Sequence, residues 1–248
     1  MEEEGEARMT ELSDIHNHTL FGLDDGAAEL SDSMQMLALS YQEGVRCLCM
    51  TPHCNPAMFP AATAEAAKEK FARVCEAASS RFPGLELALG NEFFALTEDV
   101  ELIRAGQCLT LGGGRTVLVE FSPDASYRMM ANTMRAIHAM GKMPLLAHAE
   151  RYDCLVRDPG RVEELRRMRV HIQVNARTVT GSILFPASRF VRSLLRERWV
   201  DVVASDAHDT KHRPPFLQAA HRVVRKLCGR AYAEEIFCIN PHDVANFK

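Results

Sequence analysis

Short apolar runs of strand length alternate with segments of helix length along almost the whole chain, and no other feature narrows its fold as far. The runs fall at 13–20, 45–51 ("VRCLCMT"), 85–90 ("LELALG"), 116–121 ("TVLVEF"), 143–148 ("MPLLAH"), 170–175 ("VHIQVN") and 200–204 ("VDVVA"). Between and after them the spacing predicts helices over 31–43, 63–82, 98–105, 126–140, 160–169, 187–198 and 216–227. Strands separated by helices return to one sheet in parallel, through crossover connections. Seven such units in 248 residues predict an α/β protein whose parallel sheet closes, or nearly closes, into a TIM-like barrel.

Composition is consistent with one domain over 13–248. The chain is 47% hydrophobic and 25% charged, and no linker, repeat or low-complexity tract divides it. Residues 1–12 begin "MEEEGEARMTE", an acidic arm with no apolar stretch of the secretory kind. No apolar run reaches the roughly 18 residues of a membrane span. A net charge of -4 without basic clustering argues against a nucleic-acid surface. The eight cysteines have no paired spacing, so reduced thiols in a cytoplasmic protein are expected.

The strand ends carry the chemistry. "DIHNH" places His16 and His18 one residue apart, and on a strand they share a face with Asp14. His53 follows the second strand in "TPH", and Glu92 the third in "GNE". Glu120 closes the fourth and His148 the fifth, while Asp206 and His208 follow the seventh in "VVASDAH". Each alone reads more readily as a polar strand end or a helix cap. Six of seven strand ends with His, Asp or Glu are hard to explain as caps, because that rim of a barrel is where sites are built. Together they predict a carboxylate–imidazole metal cluster. Zinc, manganese and iron(II) all suit such ligands, and manganese is favoured as carboxylates increase. Clustered divalent ions hold hydroxide at neutral pH and clamp anions, so hydrolysis of a phosphate ester is the natural reaction. Arg151, three residues past His148, and Arg213, five past His208, are candidate phosphate-binding forks.

Two phosphatase decoys fail. Cys75 to Arg81, "CEAASSR", has the C-x5-R spacing of cysteine-dependent tyrosine phosphatases. It lacks glycine and lies in an alanine-rich helical run, so it offers no nest of backbone N–H groups. The pair His53–Cys54 has Pro60 where the arginine would stand.

In their order, "DIHNHTLFGLDDGA", "TPH", "GNEFF", "VLVEFSP", "LLAHAERY" and "VVASDAHDTKHRPP" resemble the bacterial PHP-type protein-tyrosine phosphatases of the CpsB/CapC group, which accompany capsule and exopolysaccharide loci. The resemblance runs from residue 13 to the end. It implies a distorted (β/α)7 barrel of the PHP fold carrying three divalent ions, for which the donor chemistry above puts manganese first, with iron or zinc as alternatives. His16, His18, Glu92 and Asp206 would hold one ion. Glu92 would bridge to a second, completed by Glu120 and His148. Asp25, His53 and His208 would hold a third. Asp25 enters through the resemblance alone, with Asp24 beside it as a partner that orients a ligand.

The implied reaction is attack on phosphorus by a metal-held hydroxide without a phosphoenzyme. Arg151 and Arg213 would bind phosphate, and His208 is one candidate for protonating the leaving group. The implied substrate is a phosphotyrosyl protein, a bacterial tyrosine kinase of the exopolysaccharide machinery, in the cytoplasm, with neither nucleic acid nor membrane insertion involved. Cys54 departs from the basic residue the family often carries there. His138, His171, His221 and His242 are expected to be structural or exposed, whereas His212, next to Arg213, is placed to face a substrate. Alternatives are a PHP phosphatase for a small ester such as histidinol phosphate, an amidohydrolase, and a non-catalytic metal-stabilised module. The second lacks a bridging lysine and the third would have lost ligands.

Overall fold

The protein's structure, a computed structural model, describes residues 11–97 and 100–247. Most of the acidic arm and the first residues of the helix expected over 98–105 lie outside the described residues. The strands are β1 (Leu12–Asp14), β2 (Val45–Met50), β3 (His53–Cys54), β4 (Glu86–Leu89), β5 (Glu92–Ala95), β6 (Thr116–Phe121), β7 (Met143–Leu146), β8 (His171–Asn175) and β9 (Val202–Ala204). They form ladders in the orders β1-β2-β4 and β3-β5-β6-β7-β8-β9, and every pairing is parallel. The result is a mixed α/β fold built on a curled parallel sheet, as the alternation predicts.

The pieces of strand do not match the seven expected runs one to one. Pro52 lacks an N–H, so the ladder breaks between β2 and β3. The Glu92 N–H still reaches the Pro52 carbonyl at 3.2 Å, and the Gly90 N–H reaches that of Met50 at 2.9 Å. The run expected over 13–20 is regular for three residues only. Beyond Asp14 its hydrogen bonds are divided between two neighbours. Thr51 donates its N–H to the Asn17 carbonyl at 2.9 Å, and His18 donates to that of Ala207 at 2.7 Å. A parallel bridge between Asn17 and Ala207 joins this segment to the end of β9. The curl thereby brings the first and last strands together.

Side-chain alternation explains the layering. Leu118 faces a small cluster with Ile15, Cys49, Leu145, Val202 and Ala204 on the concave side, while Val117 and Val119 face the helices. Glu120 shares the inward face of Leu118, two residues nearer the C-terminal rim. Helices Leu30–Gln42, Ala64–Ala78, Tyr127–Ala139, Gly160–Arg167, Pro186–Arg196 and Gln218–Cys228 lie within a few residues of expectation. Thr63 and Ser126 cap two of them, accepting the N–H groups of Ala66 and Met129. Helix Ala176–Thr180 and the pieces from Arg230 to Val244 were not expected. Among the latter, Pro241 sits in the first turn of Asn240–Val244, where its missing N–H costs nothing. Among the described residues no helix is long and apolar enough to cross a membrane.

Candidate metal centre

At the C-terminal rim of the curled sheet all nine candidate ligands converge on one point, and Glu92 occupies its middle. This carboxylate is 1% exposed. Its Oε1 lies 3.1 Å from Nε2 of both His16 and His148, and its Oε2 lies 3.2 Å from His18 Nε2 and 3.4 Å from His53 Nδ1. Glu120 adds Oε1 at 3.2 Å from His148 Nε2 and Oε2 at 3.6 Å from His53 Nδ1. Asp25 stands between His53 and His208, 3.5 Å from Nε2 of each. Asp206 Oδ1 lies 3.6 Å from His16 Nε2 and 3.7 Å from His18 Nε2.

The imidazoles are aimed by groups behind them. His18 Nδ1 bonds Asp24 Oδ2 at 2.7 Å and His16 Nδ1 bonds Gln173 Oε1 at 3.1 Å. Both Nε2 atoms thereby turn toward the centre. Gln173 Oε1 also accepts the backbone N–H of His148 at 2.7 Å, and Asn175 Nδ2 donates to Asp206 Oδ2 at 2.7 Å. His148 and Asp206 are both held at positive φ, 29° and 53°. A left-handed conformation at a non-glycine residue is a strain that folds retain mostly at sites. Gly26 is required for another reason, since a Cβ there would stand 2.1 Å from the His18 carbonyl oxygen. That close approach brings Asp24 and Asp25 over the two histidines.

Charge at the centre is unbalanced in a way that cations satisfy. Burial pushes the Glu92 carboxyl up, but His16, His148 and His18 hold it well below the usual carboxylate range. Asp206 is likewise held low against burial by His16 and Arg151. Burial and Arg151 push His148 down, and Glu120 and Glu92 raise it on balance to about 9. The carboxylates demand positive charge from every neighbour. The fit to metal is tested by atoms left without hydrogen bonds: His16 Nε2, His18 Nε2, His53 Nδ1 and Glu120 Oε2 are buried and make none. The three nitrogens face carboxylate oxygens and Glu120 Oε2 faces His53 Nδ1 without a hydrogen bond being made, and buried polar atoms in that condition are rare. Nitrogen and oxygen donors from His18, Asp25, His53 and His208, from His16, His18 and Asp206, from His16, Glu92 and His148, and from His53, Glu92 and Glu120 form four overlapping sets. Atoms within each set lie within 4.8 Å of one another. Divalent ions fit this donor chemistry.

Asp14 departs from expectation. It does not join the cluster, because the strand ends there and the alternation with it. Its Oδ2 accepts the Ser205 hydroxyl at 2.5 Å and its Oδ1 the Ser205 N–H at 3.0 Å, pinning the segment that carries Asp206. Burial raises this carboxyl to about 6 even though Ser205 opposes it. Cys75 lies within helix Ala64–Ala78, and burial raises its thiol, the reverse of a nucleophile's need.

Arg151 and Arg213 stand at the mouth. Both pair with Asp206 Oδ2, Arg213 at 2.8 Å, and their side chains are 37% and 31% exposed. The mouth is a cavity of about 180 Å³ whose other wall is Met58, Phe59 and Phe94. Phe59 stacks on His53 with centroids 4.6 Å apart and planes 9° apart, and Phe94 meets that ring edge-on at 6.5 Å. Sequence reasoning missed this wall and the orienting amides of Gln173 and Asn175.

Comparison with known proteins agrees with the geometry. The family model for capsular polysaccharide synthesis, CpsB/CapC, matches residues 12–246. The chain is 34% identical over 238 residues to the tyrosine-protein phosphatase CpsB of Streptococcus pneumoniae, covering 94% of this chain and 98% of that protein. It is 29% identical over 221 residues to the tyrosine-protein phosphatase YwqE of Bacillus subtilis, covering 88% and 85%. A crystal structure from work on YwqE and CpsB, described there as metal-dependent tyrosine phosphatases, superposes with a TM-score of 0.86 at 24% identity, over 95% of this chain and 94% of the other.

Proposed function

The chain belongs to the CpsB/CapC family of capsular polysaccharide synthesis, and from that premise we propose that it is a metal-dependent tyrosine-protein phosphatase. The observation that carries the reading is the mouth, where two guanidinium forks face an aromatic wall directly above a buried imidazole–carboxylate cluster. His16, His18, Glu92 and Asp206 would hold one cation, with Glu92 shared to a second held by Glu120 and His148. Asp25, His53 and His208 would hold a third, with His18 in reach of that set. Manganese suits the carboxylate-rich donors best, with iron or zinc as alternatives. Divalent cations bound there supply Lewis acidity that activates water and screens phosphoryl charge.

The chain's own residues do the rest. Asp206 divides its two oxygens, Oδ1 toward His16 and His18 and Oδ2 toward Arg151 and Arg213. It thereby sets the arginines at a fixed place relative to the ligands. Those forks bind the phosphate's free oxygens and orient its phosphorus over the centre. Phe59 and Phe94 receive the ring of the ester. His208 places Nδ1 3.0 Å from the Asp206 carbonyl oxygen, which only an N–H can approach favourably. Its Nε2 is therefore bare toward Asp25, and burial and His18 hold its pKa below the ordinary value. His208 then serves as a ligand before it serves as an acid. A phenolate, whose parent pKa is about 10, leaves with little proton assistance.

We read the pieces of sheet as the staves of a distorted (β/α)7 PHP barrel, β2 continuing into β3 and β4 into β5, in a single domain over 13–248. The substrate we assign is phosphotyrosine on a bacterial tyrosine kinase of exopolysaccharide synthesis, in the cytoplasm. The test is phosphate release from a phosphotyrosyl peptide and from histidinol phosphate, after chelation and again with manganese restored. Metal-dependent release from the peptide supports the proposal. Release from histidinol phosphate alone overturns the substrate while retaining the site.

A further inference from the structure

A second cavity, of about 540 Å³, opens beside the mouth and shares Arg151, Asp206 and Arg213 with it. Its far wall carries Arg177, from helix Ala176–Thr180, together with Lys211 and His212 from the segment after His208. The ion pairs at its floor are those of Arg151 and Arg213 with Asp206. Arg177 and Lys211 have no carboxylate partner among the described residues. Four permanent cations and one carboxylate thus line a cavity in a chain whose net charge is -4.

The wall is built. The Asp209 carboxylate accepts the backbone N–H groups of Lys211, His212 and Arg213. Arg177 donates to the His212 carbonyl oxygen at 3.2 Å, tying the helix to this segment. The target phosphate does not account for these charges, because Arg151, Arg213 and the metal centre already meet it. Pro214 and the half-exposed Phe216 add apolar surface suited to a polypeptide.

We propose that this cavity is a second anion subsite, taking a carboxylate or a second phosphate that the substrate polypeptide carries close to its phosphotyrosine. The inference rests on the phosphotyrosine reading above. Because the two cavities share arginines, an anion in the second lies beside the scissile phosphate, as a neighbouring residue of one peptide would. Such a subsite selects among phosphotyrosines by their surroundings, which the metal centre alone does not do.

The test uses three phosphotyrosyl peptides identical except for a neighbouring serine, glutamate or second phosphotyrosine. Each is assayed with the manganese-loaded protein and with Arg177→Gln and Lys211→Glu. The expected result is a KM about tenfold lower for an anionic neighbour, with the advantage lost in both variants. An advantage confined to glutamate or to the second phosphotyrosine supports the subsite and identifies its anion. Lys211 and Arg177 are exposed, and matching Tm values verify that the variants fold. Equal KM for all three peptides, or an advantage that persists in both variants, overturns the subsite and leaves the phosphatase reading intact. Absence of turnover on every peptide, with histidinol phosphate still cleaved, overturns that reading and the subsite with it.

Discussion

Asp24→Asn isolates the work of one orienting carboxylate. Asp24 Oδ2 accepts from His18 Nδ1 at 2.7 Å and from the His53 backbone N–H at 2.9 Å, and Oδ1 accepts the Gly26 N–H at 3.0 Å. Three donors face two oxygens. A carboxamide has one oxygen, so in either orientation its NH2 opposes at least one N–H. With oxygen kept toward His18 and His53, two charge-assisted bonds become neutral, at about 1 kcal/mol each, and the Gly26 N–H is abandoned for about 1 kcal/mol more. Of this total of about 3 kcal/mol, the part borne by His18 weakens a ligand that the carboxylate both aims and makes more basic. Manganese affinity should fall about 10- to 100-fold. Competition calorimetry against a chelator reads the affinity, and thermal unfolding with and without manganese reads the stability. Asp32→Asn is the control. That carboxylate caps helix Leu30–Gln42 through the N–H groups of Ala28 and Glu29, so its loss should lower Tm without moving the affinity. Affinity within about twofold of wild type in Asp24→Asn would refute the argument that Asp24 sets the ligand.

Three further outcomes follow from the same geometry. Glu92→Gln removes a carboxylate that faces four imidazoles, and metal content together with phosphatase activity should fall, the activity by about 10³-fold; retention of either counts against the central role. Phe59→Ala opens the aromatic wall, so KM for an aryl phosphate should rise about fivefold while metal content stays constant, measured by initial rates and elemental analysis. Burial first, then Arg225, holds His221 below its ordinary value, with Arg222 adding and Glu234 opposing. Its folded pKa thus lies below an unfolded value of about 6.5, so the stability it permits is complete above 6.5 and is lost as pH falls toward the folded value. His221→Leu should flatten the decline of unfolding free energy below pH 6.5, and an unchanged slope in urea titrations would place the effect elsewhere.

The sequence made eight of the nine candidate ligands legible because each of the eight ends or follows an apolar run, where a residue type at the rim announces itself. Asp25 escaped that logic, since it sits in the loop before the first helix and reaches the site only through the close pass of Gly26 over His18. The last C-terminal helix, Asn240–Val244, holds a proline that its first turn tolerates. The break of two strands into four pieces follows from hydrogen-bond partners that change at Pro52 and Gly90, which periodicity alone does not register.

The strand end that lacked any His, Asp or Glu is the most instructive. In β8, Gln173 and Asn175 alternate with Ile172 and Val174, so the polar pair points inward among the ligands. Counted by metal affinity, that stave was blank. Its amides instead hold His16 Nδ1, the His148 backbone and Asp206 Oδ2. A ring of donors as crowded as this one needs at least one stave that carries no charge. An additional carboxylate at Gln173 would compete for the same cations, and an additional imidazole, with one acceptor nitrogen, would not serve both His16 Nδ1 and the His148 N–H as the Gln173 oxygen does. The silent position is therefore part of the site, and its signal in the sequence was the alternation of amides with β-branched residues on a strand that is otherwise buried.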